Sequence, residues 1–162
     1  MCQLIEIWPF RPSDAQACCE IRRRAVLAVS PRFYGRAVRQ AWTSEFSSNP
    51  DLDIVAAGGT VLIAKSSNDQ ARGFASFRLF GNIGKLLRLY IEPDVQELGI
   101  GSALLRKSEE QMAAAGADKA ILEASLSALA FYERRGYQVT ARIRHDLGNG
   151  IKMDVRDMEK SL

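Results

Sequence analysis

The stretch at residues 86–101, LLRLYIEPDVQELGIG, constrains this chain more than any other. An apolar run of strand length stops at Pro93. Gly99 and Gly101 then open a segment in which Ile100, Ala103, Leu104, Ser108, Met112 and Ala115 fall on one stripe at helical spacing, and Gly116 is placed to stop it. A second apolar run follows at 119–124. A strand, a helix and a strand in that order imply a parallel pair. The glycines also matter chemically, because the first turn of a helix has N–H groups without partners and a partial positive charge, and glycine lets a large anion approach them. A dinucleotide fingerprint would need a third glycine at Leu104, and a Walker loop a Lys-Ser or Lys-Thr after its second glycine. Neither is present.

What remains, Gln96-Glu97-Leu98-Gly99-Ile100-Gly101, resembles the Q/R-x-x-G-x-G/A motif of the GNAT acetyltransferases, whose loop holds the pyrophosphate of acetyl-CoA. A second motif lies downstream. Ser125 to Tyr137, SLSALAFYERRGY, is similar to the family's S/N-x-x-A-x-x-F-Y-x-x-x-G-F/Y signature. The opening Arg11-Pro12-Ser13-Asp14 before an Ala-rich helix also resembles the family. The resemblance implies a single α/β (mixed α+β) domain over 1–162 with the GNAT acyl-CoA N-acyltransferase fold. That fold has a central, mostly antiparallel sheet with one parallel strand pair, flanked by helices. It further implies an enzyme, an acetyl-CoA-dependent N-acetyltransferase acting on a primary amine of a small molecule or protein by direct attack on the thioester. The Ser-x-x-Ala motif with a Gly-rich terminal hairpin has a looser likeness to small bacterial GNAT proteins related to YafP.

Patterning extends the expectation along the chain. Residues 4–8 read as a strand; Ser13 or Asp14 can cap a helix running to about Val29; 36–46 and 51–57 read as further helices. Runs at 60–65 and 72–80 flank Ser66-Ser67-Asn68-Asp69 and predict a hairpin, followed by a strand at 85–91. Residues 127–135 predict a short helix stopped by Gly136. Strands at 137–144 and 151–158 around Gly148-Asn149-Gly150 predict a terminal hairpin.

Acetyl transfer to an amine requires holding the donor, supplying a neutral amine, stabilising the oxyanion and protonating the thiolate. On the resemblance, backbone N–H groups of Glu97, Leu98, Gly99, Ile100, Gly101 and Ser102 would contact the pyrophosphate, with Gln96 adding side-chain hydrogen bonds. An acidic Glu97 beside phosphate either turns outward or weakens binding. Leu89, Tyr90 and Ile91 are the cofactor-binding residues of this strand: the carbonyls of Leu89 and Ile91 would pair with the pantetheine amides and an N–H near Ile91 would serve the oxyanion, while the Tyr90 side chain reads as packing rather than catalytic. Tyr132 occupies the position that donates a proton to the leaving thiolate. Ser125 would contact the cofactor, cap the short helix, or both. Phe131 reads as a core plug. For the amine, Glu92, Glu123 or a water is the candidate base; Tyr90 and His145, the one histidine, rank below them.

Composition narrows the setting. No window approaches the roughly eighteen apolar residues that span a bilayer, and the N-terminus, with Glu6 and Pro9, does not read as a signal peptide, so a soluble cytoplasmic protein is expected. Three cysteines, Cys2, Cys18 and Cys19, argue against a disulfide framework or a metal site. A net charge of +3 does not argue for nucleic acid. Arg22-Arg23-Arg24, with Arg32, Arg36 and Arg39, reads as a solvated face first, and as a face for an acidic acceptor or RNA second. Two alternatives stand beside the enzyme: a non-catalytic acyl-CoA-binding sensor, suggested by Lys85 and Leu87 where an acid would stand, and a tRNA-acetylating toxin, suggested by the arginines. A homodimer is common in such folds.

Overall fold

The computed structural model describes residues 4–44 and 49–162. In chain order the elements are β1 (Ile5–Pro9), α1 (Ala15–Leu27), α2 (Arg36–Ser44), α3 (Pro50–Ala56), β2 (Thr60–Ser66), β3 (Ala71–Phe80), β4 (Ile83–Ile91), α4 (Ile100–Ala114), β5 (Lys119–Ser125), α5 (Leu129–Glu133), β6 (Gln138–Asp146) and β7 (Lys152–Ser161). Cys2 and the last two residues of the helix expected at 36–46 lie outside the described residues. The seven strands form one sheet in the order β1-β2-β3-β4-β5-β7-β6. β4 and β5 are its parallel pair; the other neighbours run antiparallel, and the sheet is flanked by helices.

Both faces of the central strands are covered, so β2 and β3 are buried at successive positions rather than alternately. On one face Leu62, Ala75, Phe77, Leu86 and Leu122 pack against Leu104, Leu105 and Met112 of α4. Removing each large apolar side chain from water contributes on the order of 1.5–3 kcal/mol. The stripe read from the sequence is corrected at one end: α4 stops at Ala114, so Ala115 is an exposed cap, and Leu105 joins the core instead. On the other face Cys18 and Ile21 of α1 meet Val61, Ile63 and Phe74. A third cluster, Tyr34, Met153 and Val155 with Trp42 and Ile143, joins the helical layer to the terminal hairpin.

Two helix ends differ from expectation. Asp14 is the N-cap of α1, but its carboxylate does not cap the helix; it accepts from the Arg11 N–H at 2.8 Å and pairs with Lys65 at 2.9 Å. α5 is shorter than 127–135, because Ser127 and Ala128 belong to the turn that enters it.

The arginines are only in part a solvated face: Arg23, Arg24, Arg32 and Arg36 are exposed, whereas Arg22 and Arg39 turn inward. Arg22 is buried and donates to the Trp42 carbonyl at 2.7 Å, Arg24 is bound to Glu92, and Arg39 donates to the Leu27 carbonyl at 2.8 Å. These three cations join α1, α2 and the end of β4. Cys18 and Cys19 are both unbridged.

Candidate functional site

The site begins as a defect in the sheet. β4 and β5 pair over three positions, Ile83 with Lys119, Gly84 with Ala120 and Lys85 with Ile121, and then diverge. Gly84 permits close packing at the vertex, since a Cβ there would collide with the Met112 sulfur. Above the vertex the gap contains a chamber of about 80 Å³, which adjoins a larger one of about 690 Å³ beside the glycine loop. Trp42, Leu89, Tyr90, Ser125, Ala128 and Tyr132 line both.

The edge of β4 facing the gap is polar. The Glu92 N–H donates toward β3, to the Arg72 carbonyl at 2.9 Å. Because successive residues of a strand direct their backbone groups to opposite edges, those of Ile91 and Leu89 face the gap. Gln96, on the exposed loop above, holds its side-chain amide 3.5 Å from the Ile91 carbonyl.

Beyond β4 the chain curls through Glu97 at φ 69° and Gly99 at φ 83°, which turns the start of α4 toward the larger chamber. Ala103 donates back to the Gly99 carbonyl at 3.0 Å, so the N–H groups of Ile100, Gly101 and Ser102 precede the helical ladder. Gly99, Gly101 and Ser102 line the chamber. Leu98 is 72% exposed and Ile100 is in the core, so these two side chains are directed away and only their backbone is available. Glu97 is exposed at the rim.

Tyr132 closes the floor. It is buried, edge-on to Phe131 (5.1 Å) and Tyr137 (5.6 Å), and its hydroxyl has no hydrogen-bond partner among the described residues. Burial first, and the neighbouring Tyr90 second, push its pKa well above the usual phenol value, so it stays protonated across the physiological range. The Ser125 hydroxyl meets that of Ser127 at 2.9 Å and does not cap α5.

The candidate bases separate clearly. Glu92 is buried and held by Arg24, whose Nε lies 3.0 Å from Oε2, so its carboxylate is directed to α1 and away from both chambers. Glu123 lines the smaller chamber, with Oε2 3.3 Å from His145 Nε2. Tyr90 proves to be both a packing residue and a wall. It lies 5.8 Å from the Phe74 ring and 6.4 Å from Trp42, with the Arg22 guanidinium 5.9 Å from its centroid. Among the described residues no three His, Cys, Asp or Glu side chains converge as metal ligands, and no helix is long and apolar enough to cross a membrane.

Residues 57–139, just over half of the chain, match the family model described as an acetyltransferase (GNAT) domain. The chain belongs to this GNAT family. Its fold agrees with solved GNAT structures over nearly the whole length. The GCN5-related N-acetyltransferase ("Aminotransferase, Class-II") from Rhodopseudomonas palustris is 27% identical, with 100% of this chain and 99% of that one covered and a TM-score of 0.86. PaiA N-acetyltransferase from Thermoplasma acidophilum, solved in complex with coenzyme A, is 22% identical, with 98% and 99% covered and a TM-score of 0.78. The ribosomal-protein-S18-alanine N-acetyltransferase from Escherichia coli is 20% identical, with 98% and 94% covered and a TM-score of 0.68. No curated protein matches the chain.

Several walls of this GNAT site were not anticipated from the motifs. Phe131, expected as a core plug, is only half-buried and lines the larger chamber, where the Arg135 guanidinium lies 3.7 Å above its ring. Arg135 also binds the Ser102 hydroxyl and donates to the Phe131 carbonyl at 2.8 Å, which fastens α5 to the first turn of α4. Arg134 faces the same chamber. The visible signal was two adjacent arginines in the variable positions of the second motif. Trp42 carried none, because a lone aromatic on an amphipathic helix reads as core.

Proposed function

We propose that this GNAT chain is an acetyl-CoA-dependent N-acetyltransferase that transfers the acetyl group directly to a primary amine. The observation that carries the reading is the gap between β4 and β5. One continuous space is edged by the backbone of Leu89 and Ile91, floored by the unpartnered hydroxyl of Tyr132 and capped by the N-terminus of α4. An extended amide-bearing chain ending in a diphosphate suits those partners in that order. Bound there, acetyl-CoA supplies an activated thioester.

The residues divide the work. Backbone N–H groups of Glu97 to Ser102, with Gln96, hold the pyrophosphate; Arg134 and Arg135 add positive charge on the other side of the same chamber. Leu89 and Ile91 present carbonyls to the pantetheine amides. The Ile91 N–H stabilises the carbonyl oxygen as it gathers negative charge. Ser125 contacts the cofactor from the β5 side. Tyr132, kept protonated by burial, donates a hydrogen bond to the departing sulfur.

For the amine, a lysine-like ammonium is neutral in less than one molecule in a thousand at pH 7, a penalty of about 4–5 kcal/mol. Glu123 is the carboxylate in the smaller chamber and accepts the ammonium proton, directly or through a water, so that a neutral amine attacks the thioester carbonyl. As the C–N bond forms and the C–S bond breaks, Tyr132 gives its proton to the departing sulfur and is reprotonated from the nitrogen, leaving the amide and the free thiol of coenzyme A. The reading carries with it a cytoplasmic bacterial enzyme whose acceptor is a small-molecule or protein amine, with a homodimer to be tested by light scattering. The YafP-like kinship within the family rests on the second motif and the hairpin alone.

Calorimetric titration with acetyl-CoA, beside desulfo-CoA and ATP, tests the proposal. Micromolar binding of acetyl-CoA supports it and opens an acceptor screen by free-thiol release. No binding by folded protein overturns it. Binding without thiol release across a broad amine panel favours the acyl-CoA sensor.

A further inference from the structure

The β5–β7 ladder ends in an unusual way. Its last pair is Ser125 with Val155, and continuing the register would set Leu126 opposite Asp154. A phenol stands between them instead. The Leu126 N–H donates to the Tyr34 hydroxyl at 2.7 Å, and that hydroxyl donates to the Asp154 carbonyl at 2.5 Å. Tyr34 comes from the loop between α1 and α2, is 5% exposed, and lies edge-on to Trp42 with ring centroids 5.8 Å apart. Its single hydroxyl therefore satisfies one half-buried backbone donor and one backbone acceptor that face each other across the end of the ladder.

We infer that Tyr34 is a positioning residue of the acyl-transfer site, a wedge that ends β5 at Ser125 and holds the turn after it away from β7. This rests on the reading of the cavity as the acetyl-CoA site. The turn in question carries Ser125, Ser127 and Ala128 into the larger chamber and leads directly to Tyr132. Without the hydroxyl, the Leu126 N–H and the Asp154 carbonyl are free to close one further ladder bond, because buried backbone groups left unpaired are costly. Closing it draws the turn toward β7. The wall of the chamber moves with it, and so does the start of α5. Trp42, which lines both chambers, packs on the same ring, so the helical layer and the β5 turn are set by one side chain. Burial pushes the Tyr34 pKa up, which keeps the hydroxyl able to donate as well as accept.

The test is Tyr34→Phe, which keeps the ring and removes only the oxygen, with Ile63→Val on β2 as a mild core truncation outside both chambers. Backbone amide resonances of the ligand-free proteins are compared first. In Tyr34→Phe, residues 125–128 and Asp154 are expected to shift while β2 and β3 do not. Next, acetyl-CoA affinity is measured by calorimetry: Tyr34→Phe weakens it about tenfold, whereas Ile63→Val lowers the melting temperature and leaves affinity unchanged. Unchanged resonances at 125–128, or an affinity equal to that of the parent protein, overturn the wedge. If the parent protein binds no acetyl-CoA, the reading of the cavity falls, and the resonance comparison still decides whether Tyr34 holds the turn.

Discussion

The guanidinium of Arg24 lies against the carboxylate of Glu92, with Nε 3.1 Å from Oε1 and 3.0 Å from Oε2, and ties the last turn of α1 to the end of β4. The pair fixes the roof of the gap and uses up one of the two carboxylates that could receive a proton. Glu92→Gln is therefore expected to leave kcat within a few-fold and to lower stability by no more than about 1 kcal/mol, since Arg24 is half-exposed. Glu123→Gln should lower kcat by about a hundredfold or more. Steady-state kinetics of both variants with a responsive amine separates them; equal losses would remove Glu123 from the mechanism.

Tyr132→Phe should reduce kcat by roughly ten- to a hundredfold while acetyl-CoA affinity changes little. Because burial raises the pKa of this phenol, no alkaline fall in rate attributable to it is expected below about pH 10. A pH–rate profile extended to pH 10 checks this, and a limb present in the parent protein but lost in Tyr132→Phe would contradict it.

Glu97 combines two costs, a left-handed backbone at φ 69° in a residue with a Cβ, and a negative charge at the rim of an anion site. Glu97→Gly should tighten acetyl-CoA about two- to fivefold, and the gain should shrink as salt is raised. Titrations at two ionic strengths read both effects.

How much of this was legible from the sequence follows the same division between local and long-range structure. Gly99 and Gly101, the alternation of apolar runs and turn clusters, and the Ser125 to Tyr137 motif are local signals, and they pointed to the parallel pair, the glycine loop and a tyrosine on the chamber wall. The insertion of β7 between β5 and β6 is a long-range pairing with no local signature. Likewise Arg22 and Arg24 read as solvated because nothing nearby in sequence announces the Trp42 carbonyl or Glu92 as partners. Glu92 and Glu123 looked equivalent for the same reason.

Gly84→Ala places a Cβ against the Met112 sulfur at the vertex of the gap, where overpacking typically costs about 1–3 kcal/mol. Urea denaturation should show a lower midpoint with an unchanged slope. Met112→Ala in the same background should recover part of the loss; no recovery would mean that the clash is relieved elsewhere.

Asp51 is buried beside Arg88 at 3.2 Å, yet desolvation outweighs that cation and raises its pKa above the usual 3.8. The folded state then binds this proton more tightly than the unfolded chain. The Asp51 contribution to stability is greatest below about pH 3.9 and declines as pH rises through the folded pKa. The stability difference between the parent protein and Asp51→Asn, followed by urea midpoints from pH 3.5 to 7, should fall across that window. A difference that rises with pH would mean that Arg88 dominates.

The strand ladder between β4 and β5 is only three residue pairs long, with the Asp118 N–H donating to the Asn82 carbonyl just before it. The molecule is in that sense two blades on a short hinge, with a notch whose walls lack the cohesion of the rest of the interior. Whatever fills the notch supplies the missing mortar between the blades. On the acetyl-CoA reading the donor substrate is then also a structural component, and the chain should melt at a higher temperature and resist proteolysis better whenever its acyl donor is abundant.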